Sequence, residues 1–207
     1  IHHDIWDWDL PTHPLLVDIT TNKGKVPIVI QLGKTGMVYT FYRETGLPYF
    51  EIEERLVATD GILGDQLSPT QPFPVKPPPL IRQGITPDDA WGVTPIEREG
   101  CREKIAGARY GGMFTPISTK GTIMYPQVGG GANWGGGAFD AERNILVVPV
   151  SEVPFYVRLI PKDEVDQKLA KSPMAGNPMG PPGLIKGTDY GLEQSPLLSP
   201  LYTPCTK

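Results

Sequence analysis

Pro14-Leu15-Leu16-Val17-Asp18-Ile19, Val26-Pro27-Ile28-Val29-Ile30-Gln31 and Met37-Val38-Tyr39-Thr40-Phe41-Tyr42 are three short runs rich in β-branched and aromatic residues. Asn22-Lys23-Gly24 and Gly33-Lys34-Thr35-Gly36 separate them, and Arg43-Glu44-Thr45-Gly46 follows the last. Runs of this length bounded by glycine and asparagine read as antiparallel strands joined by tight turns. A weaker echo lies at Gly121-Thr122-Ile123-Met124-Tyr125, Ala138-Phe139-Asp140 and Ile145-Leu146-Val147-Val148-Pro149. The reading is an all-β chain of short strands.

Between the two strand groups the composition changes. Pro72-Phe73-Pro74-Val75-Lys76-Pro77-Pro78-Pro79 favours extended polyproline geometry, so residues 60–90 are expected to form a strap across the surface. Thr86-Pro87-Asp88-Asp89 and Thr94-Pro95-Ile96-Glu97 each place a capping threonine before proline and an acid three residues on, which predicts two helix starts. The second helix should run to about Arg109, before Gly111-Gly112. Lys162 to Lys171 predicts a third, and the proline- and glycine-rich stretch from Ser172 to Lys207 a long ordered loop.

The chain has 207 residues, with 24 glycines and 24 prolines, yet a hydrophobic fraction of 39% supports many turns and short strands rather than disorder. A formal net charge of -4 provides no electrostatic footprint for nucleic acid. No apolar run approaches the roughly 20 residues that span a bilayer. Cys101 and Cys205 have neither metal-site spacing nor a nucleophile's partners, leaving buried thiols or a disulfide.

Three fragments carry chemistry. In Trp6-Asp7-Trp8-Asp9 a carboxylate flanked by indoles suits a general base, because desolvation raises a carboxyl pKa toward working pH. Lys34 on its glycine turn can donate to a carbonyl oxygen. Gly129-Gly130-Gly131-Ala132-Asn133-Trp134-Gly135 offers an amide and a flat ring beside backbone that a planar ligand can approach closely. Rival motifs fail on spacing or context. Position 28, where a phosphate-binding loop ending at Gly33-Lys34-Thr35 needs its first glycine, is Ile28, and a strand follows. The glycines around Asn133 lack the strand-to-helix setting of a dinucleotide site. No G-x-S-x-G elbow is present. Adjacent His2 and His3 on an extended strand would point to opposite faces, so at most one, His3, is expected near a site.

Together the fragments resemble the quinoprotein dehydrogenases, which oxidise alcohols and sugars with pyrroloquinoline quinone and a divalent cation, and most of all the membrane-bound glucose dehydrogenase type. The likeness extends over His2-His3-Asp4-Ile5-Trp6-Asp7-Trp8-Asp9-Leu10-Pro11, Lys25-Val26-Pro27 through Gly36, Met113-Phe114-Thr115-Pro116 and Leu198-Ser199-Pro200. It implies an eight-bladed β-propeller of four-stranded antiparallel blades. Residues 1–207 would then be an internal segment of a single propeller domain, blade-like at 14–50 and 113–157, with the strap at 60–90 and the long loop at 172–207. The rest of the propeller is expected outside this chain, and the residues completing the metal shell and the quinone floor upstream of Ile1.

By the same resemblance Asp7 is the catalytic base, and Lys34, Asn133 and Trp134 contact the quinone. Asp7, with Asp9 as a further candidate, would ligate the cation, Ca²⁺ or else Mg²⁺ or a lanthanide. Cys101 and Cys205 would form a disulfide in a periplasmic protein, anchored to the membrane, if at all, through a segment outside this chain. The implied partners are a small sugar or alcohol substrate, a quinone or cytochrome electron acceptor, and the remaining blades. The alternative is a non-catalytic propeller that serves as a binding or assembly scaffold, since fold alone does not imply chemistry.

Overall fold

Alternation of apolar and polar side chains sets the first sheet. In the computed structural model, which describes residues 1–62, 64–171 and 183–207, the strands are β1 (Leu15–Thr21), β2 (Gly24–Leu32), β3 (Val38–Tyr42), β4 (Ile52–Leu56) and β5 (Thr70–Pro74). Helix α1 (Pro95–Gly107) follows, then β6 (Thr122–Met124), β7 (Ala138–Asp140), β8 (Ile145–Val147), β9 (Phe155–Pro161), α2 (Lys162–Lys171), β10 (Gly183–Leu184) and β11 (Tyr190–Pro196). The chain divides into two compact units: Ile1–Val57 with Leu67–Gln83 and Val128–Glu152, and Ala58–Gln66 with Gly84–Gln127 and Val153–Lys207.

In the first unit β1, β2 and β3 form an antiparallel sheet in that order, with Leu15 opposite Ile30 and Ile30 opposite Thr40. Ile28, Ile30 and Leu32 lie on one face of β2 because successive side chains alternate, and with Val38 and Ala132 they form a core flanked by Leu15, Val17 and Ile19. Burying each such side chain contributes about 1.5–3 kcal/mol. The turn into β2 closes where Thr21 pairs with Gly24, and Thr21 Oγ1 donates to the Gly24 carbonyl at 2.8 Å. After β3 the chain folds back, and the Tyr49 amide donates to the Thr40 carbonyl at 2.8 Å. Strands β4 and β5 form a separate two-stranded ribbon, in which Pro72 and Pro74 are tolerated because each strand is an edge. Part of the expected strap is therefore a strand.

The second unit holds a four-stranded antiparallel sheet in the order β10-β11-β9-β6. Helix α1 begins as its sequence dictates: Thr94 Oγ1 accepts from the Glu97 amide, Glu97 reaches back to the Thr94 amide, and Pro95 occupies the first turn. The Thr86 motif gives only a single 3₁₀ turn, Pro87–Asp89. Cys101 and Ile105, one helical turn apart on α1, pack with Ile85, Ile123, Tyr125 and Leu197. Cys101 and Cys205 form a disulfide, with Cα atoms 5.3 Å apart.

Two expectations are corrected. The region 113–157 is not one blade: β6 pairs with β9 in the second unit, while β7 and β8 form their own ribbon in the first. The turn of that ribbon docks on β1, where Asn144 Oδ1 accepts from the Thr20 amide at 3.0 Å. The stretch 172–207 is not loop throughout, because β11 pairs with β9 along its length and β10 pairs with β11. Residues 172–182 lie outside the described residues. Strand β11 carries Glu193, Gln194 and Ser195 in succession, so it lacks the alternation that marks a strand; pairing with β9 and the ion pair from Arg158 to Glu193 at 2.9 Å hold it instead. Among the described residues no helix is long and apolar enough to cross a membrane.

Candidate active site

The site lies within the first unit, where a turn at residues 4–9 meets the end of β2 and the glycine loop that precedes β7. Trp6 and Trp8 are buried, and their rings stack with centroids 5.4 Å apart. Two indoles directed inward leave the residue between them facing out, so Asp7 is not the desolvated carboxylate that its aromatic neighbours suggested. Asp7 accordingly sits at φ +65, in the left-handed region, a conformation that costs a non-glycine residue roughly 1–2 kcal/mol and that aspartate tolerates better than most. Asp4 supports it: Oδ1 accepts from the Trp6 amide at 2.8 Å and Oδ2 from the Trp8 amide at 2.6 Å.

Lys34 sits in the turn leaving β2, where the Gly36 amide donates to the Gly33 carbonyl at 2.9 Å. Its ammonium lies 2.9 Å from Asp7 Oδ2 and 2.6 Å from Asp9 Oδ1. The Lys34 side chain is only 9% exposed, whereas those of Asp7 and Asp9 are 68% and 55% exposed. Burial pulls the lysine pKa down, but hydrogen bonds and charge from Asp9 and Asp7 outweigh it and hold the group above its ordinary value of 10.5. Lys34 is therefore cationic at any working pH.

The glycine loop packs on the same turn. The Gly131 amide donates to the Lys34 carbonyl at 2.6 Å, and a Cβ on Gly130 would collide with Lys34 Cβ. Only glycine allows that approach, and Gly130 also lies at φ +73. Asn133 shapes its own loop: Nδ2 donates to the Gly129 carbonyl at 2.7 Å and Oδ1 accepts from the Trp134 amide at 2.8 Å. Trp134 is 82% exposed.

The three fragments singled out in the sequence thus come together, though not as an extended strand would bring them. Asp7 and Asp9 converge on one ammonium through a left-handed turn. His2 is drawn away, its Nε2 lying 2.9 Å from Glu54 and its backbone gripped by the buried Gln71, while His3 is exposed. Sequence reasoning missed Asp4, whose signal was an aspartate two and four residues ahead of the amides it accepts, the pattern of a local side-chain-to-backbone turn. A cleft of about 370 Å³ in the second unit, lined by Lys104, Tyr156 and Leu197 among others, contains none of these residues.

The first unit thus sets an acid–lysine pair and a glycine-lined loop beside an antiparallel sheet. Comparison with known proteins gives the family. The family described as PQQ: Glucose/ethanol/alcohol dehydrogenase, beta-propeller domain, matches residues 1–207, and the chain belongs to that family. It is 34% identical to the quinoprotein glucose dehydrogenase of Escherichia coli (strain K12), covering 99% of this chain and 26% of that protein. With quinoprotein glucose dehydrogenase A of Acinetobacter calcoaceticus the identity is 36%, over 99% of this chain and 26% of that one. The glycerol dehydrogenase large subunit of Gluconobacter thailandicus is 34% identical over 94% of this chain and 28% of its own. The chain thus spans about a quarter of the length of these relatives. No solved structure matches it.

Proposed function

We propose that the complete protein is a quinoprotein dehydrogenase that oxidises an aldose sugar or alcohol hydroxyl, with Asp7 as the base. One observation carries the reading: an exposed carboxylate, Asp7, is held 2.9 Å from the buried ammonium of Lys34, against which the Gly129–Trp134 loop packs. The donor set suits pyrroloquinoline quinone, an anionic planar group with carbonyl oxygens. Lys34 offers a fixed cation, Asn133 an amide, and Trp134 an exposed flat ring. When bound, the quinone supplies a two-electron acceptor for the substrate's hydride.

Asp7 takes the hydroxyl proton as the C–H bond of the substrate is broken. Lys34 stabilises negative charge that develops beside it, because a preorganised cation needs no reorganisation during reaction. Asp7 and Asp9 would contribute oxygens to a Ca²⁺, Mg²⁺ or lanthanide ion, whose role is that of a Lewis acid. Among the described residues no group of three His, Cys, Asp or Glu side chains could hold a metal, so these two would form only part of its shell. In this reading the other blades of an eight-bladed propeller complete the site, the setting is periplasmic, and electrons pass to a quinone or cytochrome.

The test is reconstitution of the full-length apoprotein with the quinone and Ca²⁺, assayed with dye as acceptor across aldoses and simple alcohols. Activity that appears only with both supports the assignment, and none with any substrate would refute it. Asp7→Asn should lower kcat by roughly 10² to 10⁴.

A further inference from the structure

We infer that Asp4 is a positioning residue for the reaction: it aims the Asp7 carboxylate at the reacting hydroxyl by clamping the backbone on both sides of it. The inference rests on the reading of Asp7 as base. Its carriers are the two bonds from Asp4, Oδ1 to the Trp6 amide at 2.8 Å and Oδ2 to the Trp8 amide at 2.6 Å, and the φ of +65 at the residue between.

The geometry gives each bond a separate duty. The Trp8 amide shares its peptide plane with the carbonyl of Asp7, so holding that amide fixes the orientation of the backbone leaving Asp7. Holding the Trp6 amide fixes the Ile5–Trp6 peptide, two planes before, so the two bonds bracket the Trp6–Asp7 peptide without touching it. Relaxing Asp7 from the left-handed region toward an extended conformation would pull the bracketing planes apart and break one of these bonds; while both hold, its carboxylate stays 2.9 Å from Lys34. The buried stack of Trp6 and Trp8 supplies the floor of the turn but does not direct the exposed carboxylate above it.

A carboxylate fits this duty better than its relatives. Two amides converge on one side chain, and a carboxylate gives each its own charged oxygen, where a hydroxyl must share one neutral oxygen between two, as Ser199 Oγ does with the Leu201 and Thr203 amides. An asparagine would turn an N–H toward one of the amides, a serine has a single oxygen, and a glutamate places its oxygens one methylene too far out. Gln71 extends the same support toward the chain start. It is fully buried on β5 and holds His2 through both its amide, accepted at 2.8 Å, and its carbonyl, donated to at 2.7 Å.

The experiment uses the quinone-loaded, full-length protein with Asp4→Ala, Asp4→Asn, Asp7→Asn and the double variant Asp4→Ala/Asp7→Asn. Misplacing a reacting group by about 1 Å costs roughly 10²-fold, so kcat should fall about 10- to 100-fold in Asp4→Ala and less in Asp4→Asn. KM and quinone affinity should stay within about threefold, as they would not if the whole site had collapsed. Because Asp4 acts through Asp7, the double variant should be no slower than Asp7→Asn alone. Multiplying losses, or an unchanged kcat in Asp4→Ala, would overturn the inference. Near-normal turnover of Asp7→Asn would instead sink the base reading, and a crystal structure of Asp4→Asn then decides this one: Asp7 displaced from Lys34 upholds the clamp, and an unmoved pair removes it. Asp4→Asn also serves should Asp4→Ala fail to fold.

Discussion

Lys34 Nζ stands 2.6 Å from Asp9 Oδ1, closer than to Asp7 Oδ2 at 2.9 Å, so the second acid of the Trp-Asp-Trp-Asp turn is a counter-ion of the lysine before it is anything else. Asp9 was expected as a metal ligand, and the two roles make different demands on the same carboxylate. If it also reaches the cation, Asp9→Ala should weaken cation affinity while quinone binding stays largely intact, and the loss should be greater for La³⁺ than for Ca²⁺, since a trivalent ion gains more from each negative ligand. Titrating activity against both ions in both proteins checks this. Superimposable curves would leave Asp9 as the partner of Lys34 alone.

Lys34 itself gives a pH prediction. Burial lowers its pKa, but Asp9 and Asp7 raise it further, and the net folded value lies above 10.5. A raised value means that the folded state holds its proton more tightly than the unfolded chain. The associated stability is fully present below pH 10.5 and is lost as pH rises through the folded value. Lys34→Met should therefore be less stable than the parent from neutral pH upward, with the gap closing only beyond pH 10.5, and should bind quinone more weakly by about tenfold or more. Urea unfolding across the alkaline range measures the first effect and quinone titration the second.

Much of this arrangement could be read from residues alone, for local reasons. β1, β2 and β3 announced themselves because Ile28, Ile30 and Leu32 repeat with the period of a strand and Asn22-Lys23-Gly24 marks the turn. α1 was legible from Thr94, Pro95 and Glu97, which meet within one turn. What escaped was non-local. β6 finds its partner in β9 rather than in the nearer β7, and a strand's own residues do not name its neighbour. The contact of Gly130 with Lys34 joins positions almost a hundred residues apart. Asp7 and Lys34 stood out in the residues as a candidate base and donor, but only the resemblance joined them in one site, and the left-handed turn that unites them is bonded to Asp4.

The Cys101–Cys205 disulfide closes a sequence separation of 104 residues between α1 and the segment after β11. In the chain-entropy account a loop of that length contributes about 4–5 kcal/mol by restricting the unfolded chain. Cys101→Ser with Cys205→Ser should lower the denaturant midpoint accordingly. Thiol counting on the unreduced, denatured parent should find neither cysteine reactive, and two reactive thiols would remove the bond.

Glu97 fastens the same helix by another route, and its pH dependence runs opposite to that of Lys34. It is 2% exposed, yet every contact it makes is a donor: Thr203 Oγ1 at 2.6 Å and Ser199 Oγ at 3.1 Å meet Oε1, while the Thr94 amide and hydroxyl, both at 3.0 Å, meet Oε2. The Thr203 hydrogen bond leads in lowering its pKa; burial opposes, and the bonds from Thr94 and Ser199 leave the folded value below 4.5. A depressed value contributes stability above pH 4.5 that is lost as pH falls through the folded value. Glu97→Gln tests this cleanly. The Thr203 hydroxyl can reverse and accept from the new amide while the glutamine oxygen still accepts from Thr94, so the helix cap survives while the charge goes. Denaturation between pH 3 and 7 should show the parent more stable near neutrality and the two proteins converging in acid; a gap that stays constant across the range would assign Glu97 to packing and not to its charge.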